Sequence, residues 1–93
     1  MIIEAKLSKY NGSAGAWYFV STTRAQGAEI KAQRGVRPGF GSVRVTARIG
    51  RSTWATSLFP SKEGHFLLPV KAAVRKREGL DDGDFVRVEC ILV

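Results

Sequence analysis

The sequence is poor in the residues that small domains use for cross-links and metal sites. Cys90 is its single cysteine, which excludes an internal disulfide framework and a zinc site with several cysteine ligands. No apolar run approaches the ~18 residues of a membrane-spanning helix, and the first residues lack the basic and apolar regions of a signal peptide. We therefore expect a cytoplasmic protein that does not enter a membrane and that carries no metal or cofactor.

The chain has the length and apolar content of one small domain. Its 93 residues are 44% hydrophobic and 10% aromatic, which is enough for a single core and predicts one domain over residues 1–93. The net charge of +7 is unevenly distributed, because seven basic residues between Arg24 and Arg51 accompany Glu29 alone, a local charge of +6. A basic segment of this kind favours an anionic partner, such as nucleic acid or a phosphorylated ligand, although it also serves solubility.

Alternation of apolar with other residues predicts about six strands, because side chains of a half-buried strand face the core at every second position. The clearest is 43–49, where Val43 and Val45 alternate with Arg44. Gly50 and Arg51 form a tight turn into the next strand. The predicted strands cover residues 3–8, 17–20, 43–49, 54–59, 65–68 and 85–93, with the first two joined as a hairpin by a loop over 11–15.

Two short helices complete the prediction. The first covers 24–33, with Thr22 or Thr23 as its N-terminal cap and Gly35 as the residue that stops it. Gly27 weakens the prediction, since glycine disfavours helix. Its predicted core side comprises Ala25, Ala28 and either Ala32 or Ile30. The second covers 70–78, with Val70, Ala73 and Val74 as its apolar side and Gly79 as its cap. Strands that follow each other mostly through turns favour a small, mainly β barrel.

Five segments of the chain occur in the same order as the motifs of one known family. They are 17–19 (Trp-Tyr-Phe), 39–43 (Gly-Phe-Gly-Ser-Val), 54–60 (Trp-Ala-Thr-Ser-Leu-Phe-Pro), 68–75 (Leu-Pro-Val-Lys-Ala-Ala-Val-Arg) and 83–84 (Gly-Asp). The chain resembles a bacterial domain-of-unknown-function family with a double-split β-barrel fold, sometimes joined to a bacteriocin-protection-like domain. That family is similar in architecture to the swapped-hairpin DNA-binding proteins of the transition-state-regulator and antitoxin type. The resemblance implies a double-split barrel and no defined activity.

One candidate binding site lies at the start of the second predicted helix. Lys71 and Arg75 are four residues apart and therefore share a helix face, and a helix start offers unpaired amides to an anion. We expect these two cations, with the hydroxyl of Ser57, to hold a phosphate or carboxylate. The alternative is that Arg75 pairs with Glu78 or with an acid of the 81–84 turn.

A second candidate surface is the arginine stripe, defined as Arg37, Arg44, Arg48 and Arg51. Arg44 and Arg48 lie on one face of a strand, roughly 13 Å apart, so the stripe could follow the phosphates of a nucleic acid. Such binding would be electrostatic and not selective for sequence, and dimerisation would be expected from the regulator resemblance. The alternative is an ordinary solvated face.

The sequence gives little support to catalysis. Ser57 lacks the glycines of a nucleophile elbow, His65 has no nearby carboxylate or cysteine in sequence, and Asp81, Asp82 and Asp84 are explained by a turn. Trp17 and Trp54 are interpreted as core or lid residues. We therefore expect a non-catalytic binding module with a basic surface. Two alternatives stay open: a nucleic-acid-binding protein, and a ligand pocket or enzyme site near Trp54 and Ser57. A barrel that closes within one chain would indicate a monomer.

Overall fold

The computed structural model describes residues 1–34 and 41–93. Within these ranges the chain forms seven strands and two helices, where about six strands were predicted. In chain order they are β1 (Ile2–Lys6), β2 (Ser8–Gly12), β3 (Gly15–Ser21), α1 (Arg24–Arg34), β4 (Val43–Ile49), β5 (Ser52–Pro60), β6 (Phe66–Pro69), α2 (Ala72–Glu78) and β7 (Phe85–Leu92).

The strands form one antiparallel sheet in the order β1-β7-β4-β5-β6-β3-β2. The sheet curls into a half-barrel, which confirms the mainly β prediction with two short helices. Its inner face carries the apolar core, and we call the opposite face the outer face. Neither helix of the described ranges is long and apolar enough to cross a membrane.

Strand β4 has the predicted register. Val43, Val45, Ala47 and Ile49 are buried, while Arg44 and Arg48 are exposed. Gly50, with a φ of 56°, makes the tight turn into β5, a left-handed conformation that glycine adopts without a Cβ clash. Pairing continues from Ile49 with Ser52 to Val43 with Leu58, so alternate residues of β5 face the core as well.

The prediction for the first hairpin is wrong. Residues 11, 12 and 15 were expected in a loop, but they belong to β2 and β3, which pair from Ser8 with Phe19 to Gly12 with Gly15. The turn consists of Ser13 and Ala14 alone. Strand β1 pairs instead with β7. The glycines act here as strand residues at a tight turn, and the separate strand β2 accounts for the seventh strand.

Helix α1 begins where predicted, but its core face differs. The Thr23 hydroxyl accepts the amide of Gln26, and the Gln26 side chain accepts the amide of Thr23, both at 3.0 Å; this reciprocal pair is a capping box. Ile30 is fully buried, whereas Ala25, Ala28 and Ala32 are exposed. Gly27 is buried as well, against the backbone of Gly64. The predicted helix end at Gly35 lies outside the described residues.

Helix α2 begins at Ala72, two residues later than predicted, and Gly79 ends it with a φ of 66°. Val70 and Val74 are buried as predicted, but Ala73 is exposed. At the C-terminal end the Glu78 carboxylate accepts a 2.7 Å hydrogen bond from the hydroxyl of Ser52. Ser52 is buried beside the β4–β5 turn, so this bond attaches α2 to the central hairpin of the sheet.

Candidate functional site

An open groove of about 430 Å³ lies on the outer face of the sheet. Its lining is almost entirely apolar and rich in aromatic rings. We call it the aromatic groove, and it is lined by Tyr10, Trp17, Tyr18, Phe19, Phe59, Leu67 and Pro69.

The strand order brings these side chains together. Four neighbouring strands contribute three cross-strand pairs to the groove: Tyr10 with Trp17, Phe19 with Pro69, and Phe59 with Leu67. Directly opposed residues of an antiparallel pair lie on the same face of a sheet, with their side chains in contact distance. The pairs therefore form one continuous apolar strip across β2, β3, β6 and β5.

Three rings of the groove are largely exposed. The exposed fractions are 61% for Tyr10, 58% for Trp17 and 47% for Phe59. Isolated exposed apolar side chains are common, but a contiguous group of large ones indicates a binding surface. Trp17 is thus not a core residue, which was one of the two roles that the sequence suggested, whereas Trp54 is buried in the core as expected.

Two cations approach the ring of Tyr18, which packs against the core and alternates in β3 with Trp17 and Phe19. The guanidinium carbon of Arg75 lies 3.6 Å from the ring centre, and the ammonium nitrogen of Lys9 lies 5.8 Å from it. The Nε of Arg75 also donates a 3.1 Å hydrogen bond to the carbonyl of Val70. Stacking and this bond together orient the arginine.

Lys71 follows Pro69, a residue of the groove, closely in the sequence. It is the residue before α2, with an extended backbone (φ −70°, ψ 158°), and its side chain makes no capping hydrogen bond. In extended chain, residues two apart point to the same side, so Lys71 lies on the side of Pro69, which lines the groove. The side chain of Lys71 is exposed, and its charge is therefore available at the rim.

Comparison with protein families finds one match that spans the whole groove. A family described as "Domain of unknown function (DUF1905)" matches residues 4–90. The chain belongs to this family. A comparison with curated proteins finds no match. The DUF1905 match agrees with the resemblance to a domain-of-unknown-function family inferred from the sequence, and function has to be argued from the geometry of the site.

The predicted anion site of Lys71, Arg75 and Ser57 is untested by these contacts and stays a prediction. In this DUF1905 domain Ser57 is half-buried on the outer face of β5, opposite Arg44 and two residues before Phe59 of the groove. Arg75 does not pair with Glu78, whose carboxylate accepts the Ser52 hydroxyl. Arg75 stacks on Tyr18 instead, an arrangement that sequence spacing alone could not indicate.

The arginine stripe is partly neutralised by a neighbouring acid. Arg44 and Arg48 are exposed on the outer face of β4, and Arg51 is exposed in the turn after it. Arg48 forms an ion pair with Glu89, its cross-strand partner on β7, which neutralises part of the stripe. Arg37 lies outside the described residues.

The aspartates of the 81–84 turn and Cys90 have structural roles in this DUF1905 domain. In the 81–84 turn the Asp84 carboxylate accepts the amide of Asp81, and the Asp81 carboxylate accepts the amide of Asp82. The Asp82 carboxylate accepts the amide of Lys9. No group of three metal-ligating side chains occurs within the described ranges. Burial raises the pKa of the Cys90 thiol, with a smaller opposing effect of the N-terminal ammonium. Cys90 is thus a protonated core residue on β7.

Sequence inspection missed the aromatic groove as a site. The residues of 17–19 were recognised as a strand, but their partners come from residues 10, 59, 67 and 69. One local pattern points to the exposed face: Tyr10 and Trp17 are equidistant from the two-residue turn at Ser13 and Ala14. Recognising that turn would have paired the two rings.

Proposed function

We propose that this DUF1905 domain is a non-catalytic binding module that holds single-stranded nucleic acid in the aromatic groove. The observation that carries the proposal is the group of exposed rings, Tyr10, Trp17 and Phe59, on the surface of a protein with a net charge of +7. Single-strand binders combine these two elements, aromatic platforms for bases and cations for the backbone.

The groove suits unpaired bases. Both faces of a base are apolar and flat, and stacking on an aromatic side chain contributes roughly 1–3 kcal/mol per base. Trp17 and Tyr10 lie side by side on β3 and β2, and Phe59 lies two strands away across β6. Bases stacked on these rings would lie along the strip, with the sugar–phosphate chain directed to its rim.

Cations at the rim support this arrangement. Lys71 follows Pro69 along the chain, while Lys9 and Arg75 lie beside Tyr18. A phosphate chain along the groove would pass Lys71, while Lys9 and Arg75, on the other face of the β2–β3 hairpin, add positive potential at this end of the sheet. The arginine stripe extends basic character over the outer face from Arg44 to Arg51, which favours a strand of nucleic acid that continues beyond the groove.

A duplex fits the described residues less well than a single strand. Duplex readers usually place a helix in the major groove, but α2 has seven residues and buries Val74 in the core. Bases inside a duplex cannot stack on protein rings without being unpaired. We therefore favour single strands over the duplex binding of transition-state regulators, and we expect little preference for sequence.

The proposal also covers the suggested enzyme site and the number of chains that form the binding surface. The suggested enzyme site near Trp54 and Ser57 has no support, because Trp54 is buried and Ser57 lies on the opposite side of β5. The sheet is a half-barrel with β1 and β2 as its edge strands, and the proposed binding mode uses the groove of one chain. The double-split topology and a bacterial cytoplasmic origin remain implications of the family resemblance and of the sequence.

Salt dependence tests the proposal. Neutralisation of about three phosphates by the cations near the groove predicts that the logarithm of affinity for a single strand falls with the logarithm of salt concentration with a slope of about −2. Fluorescence anisotropy of a labelled oligothymidine at several salt concentrations measures this slope. A duplex of equal length should bind more weakly at each concentration.

Two outcomes would contradict the proposal. One is absence of oligothymidine binding even at low salt. The other is tighter binding of the duplex, since stacking would then contribute nothing. Binding that persists at ~0.3 M salt with preference for one sequence would reject the unselective form of the proposal.

A further inference from the structure

Lys71 continues the strand of the groove that ends at Pro69. The amide of Val70, which lies between them, donates a 2.9 Å hydrogen bond to a carbonyl of β3, so the chain stays beside β3 after β6 ends. The backbone of Lys71 is extended and its side chain is exposed. Continuing the register of β3 with β6 by two residues brings Lys71 to the position beside Trp17. The ammonium group therefore belongs to the Trp17 end of the groove.

Ser57 lies on the same side of the groove, on strand β5. Strands β5 and β6 are antiparallel, with Phe59 opposite Leu67. A residue that precedes Phe59 on β5 and a residue that follows Leu67 on β6 therefore lie in the same direction from this pair. Ser57 shares the outer face with Phe59, since residues two apart on a strand point to the same side. We call this side of the groove the lysine rim, defined by Ser57 and Lys71.

The opposite end of the two strands carries no net charge. It is formed by the loop over 61–65, which joins β5 to β6 and contains one lysine, Lys62, and one acid, Glu63. At the lysine rim the donors have no partner within the protein. Among the described residues, the side chains of Ser57 and Lys71 form neither a hydrogen bond nor an ion pair. They remain as donors for a ligand.

We propose that the sugar–phosphate chain of the bound single strand runs along the lysine rim, where the Lys71 ammonium and the Ser57 hydroxyl hold phosphate oxygens. The inference deepens the proposed function and rests on it, because the bases stack on the rings of the groove while the backbone follows the rim. An ammonium group beside Trp17 meets the phosphate of a base that stacks on this ring. The hydroxyl adds a neutral hydrogen bond, so Lys71 contributes the salt dependence of the rim.

Two lysine variants test the position of the backbone. Lys71→Gln should weaken oligothymidine binding about tenfold at low salt, as loss of one charge-assisted contact predicts. It should also make the salt slope less steep by about 0.7, the value for one phosphate of a single strand. Lys62→Gln is the matched control, since Lys62 is exposed at the opposite end of the same strands, and it should leave the slope unchanged. Equal changes in both variants would overturn the lysine rim in favour of general attraction to a basic protein.

The serine has its own matched pair. Ser57→Ala should weaken oligothymidine binding roughly threefold, as expected for one neutral hydrogen bond. Ser21→Ala is the control, because Ser21 is also half-buried but pairs with Leu67 at the far end of β3 from Trp17. Equal affinities of the two alanine variants would overturn the path of the backbone past Ser57.

An uncharged ligand separates phosphate binding from an effect on folding. Oligothymidine with methylphosphonate linkages keeps the bases but removes the charges of the backbone. Lys71→Gln should bind this ligand as tightly as the wild type does. A loss as large as that for ordinary oligothymidine would contradict a contact between Lys71 and phosphate.

Trp17→Ala distinguishes failure of this inference from failure of the proposed function. If Trp17→Ala weakens oligothymidine binding while Lys71→Gln behaves like Lys62→Gln, the stacking function stands and the lysine rim is wrong. If Lys71→Gln reduces the salt slope as predicted while Trp17→Ala leaves the affinity unchanged, the phosphate contact stands and the stacking function is wrong.

Discussion

Replacing Gly27 by alanine is expected to lower the free energy of unfolding by at least about 2 kcal/mol, the range of a tight overpacking defect in a core. Helix propensity alone predicts the opposite, because alanine in a helix interior is favoured over glycine by about 1 kcal/mol. The sign of the change therefore tests the contact. Urea denaturation followed by circular dichroism measures it.

We expect Gly27→Ala to be destabilising because α1 packs closely against the loop before β6. A Cβ on Gly27 would lie 2.1 Å from the carbonyl oxygen of Gly64 and 3.1 Å from the Cα of His65. These are backbone atoms, and the loop is held by hydrogen bonds from Ser61 to the His65 carbonyl and from the Phe66 amide to Thr22. Relief of the clash would break those bonds or displace α1.

Ala28 supplies the control for this prediction. It is the next residue of α1 and is exposed, so Ala28→Gly should reduce stability by about 1 kcal/mol through helix propensity alone. A Gly27→Ala variant that is as stable as the wild type, or more stable, would contradict the close packing of α1 against Gly64.

The second large effect is on binding. Trp17→Ala is expected to weaken oligothymidine binding about 5- to 150-fold, corresponding to the ~1–3 kcal/mol of one base–aromatic stack. Because Trp17 is 58% exposed, its removal should leave the fold intact, which circular dichroism can verify. Fluorescence anisotropy of the labelled oligonucleotide gives the affinity of each variant.

Phe85→Ala is the matched control. Phe85 is also an exposed aromatic residue, at 67% exposure, but it lies on β7 opposite Lys6 and outside the groove. Its removal should change affinity little. Equal losses in the two variants would indicate unspecific adhesion to exposed rings rather than binding in the aromatic groove.

Local periodicity was sufficient for the central strands. In β4, every second residue is apolar and the turn at Gly50 needs a left-handed backbone, so strand, register and turn follow from neighbouring residues. In α1, the contact between Gly27 and Gly64 selects which side faces the core. That contact joins residues far apart in sequence, and the alanine spacing therefore misled the prediction.

The aromatic groove could not be predicted for a similar reason. Its members come from four strands whose order in the sheet, β2-β3-β6-β5, is not their order in the chain. Strands adjacent in sequence often pair, but the pairing of β3 with β6 is non-local. The sequence identified Lys71 and Arg75 as anion-binding candidates, whereas the stacking of Arg75 on Tyr18 required the fold.

Tryptophan fluorescence tests the central claim most directly, because the two tryptophans of the chain differ in environment: Trp17 is 58% exposed in the groove and Trp54 is 6% exposed in the core. Oligothymidine added to the wild type should quench the emission of Trp17 by stacking. The same titration of Trp17→Phe, which keeps only the buried Trp54, should leave the emission unchanged while the phenyl ring preserves part of the affinity. Bound oligothymidine with no quenching in the wild type, or equal quenching in Trp17→Phe, would show that nucleic acid does not occupy the aromatic groove.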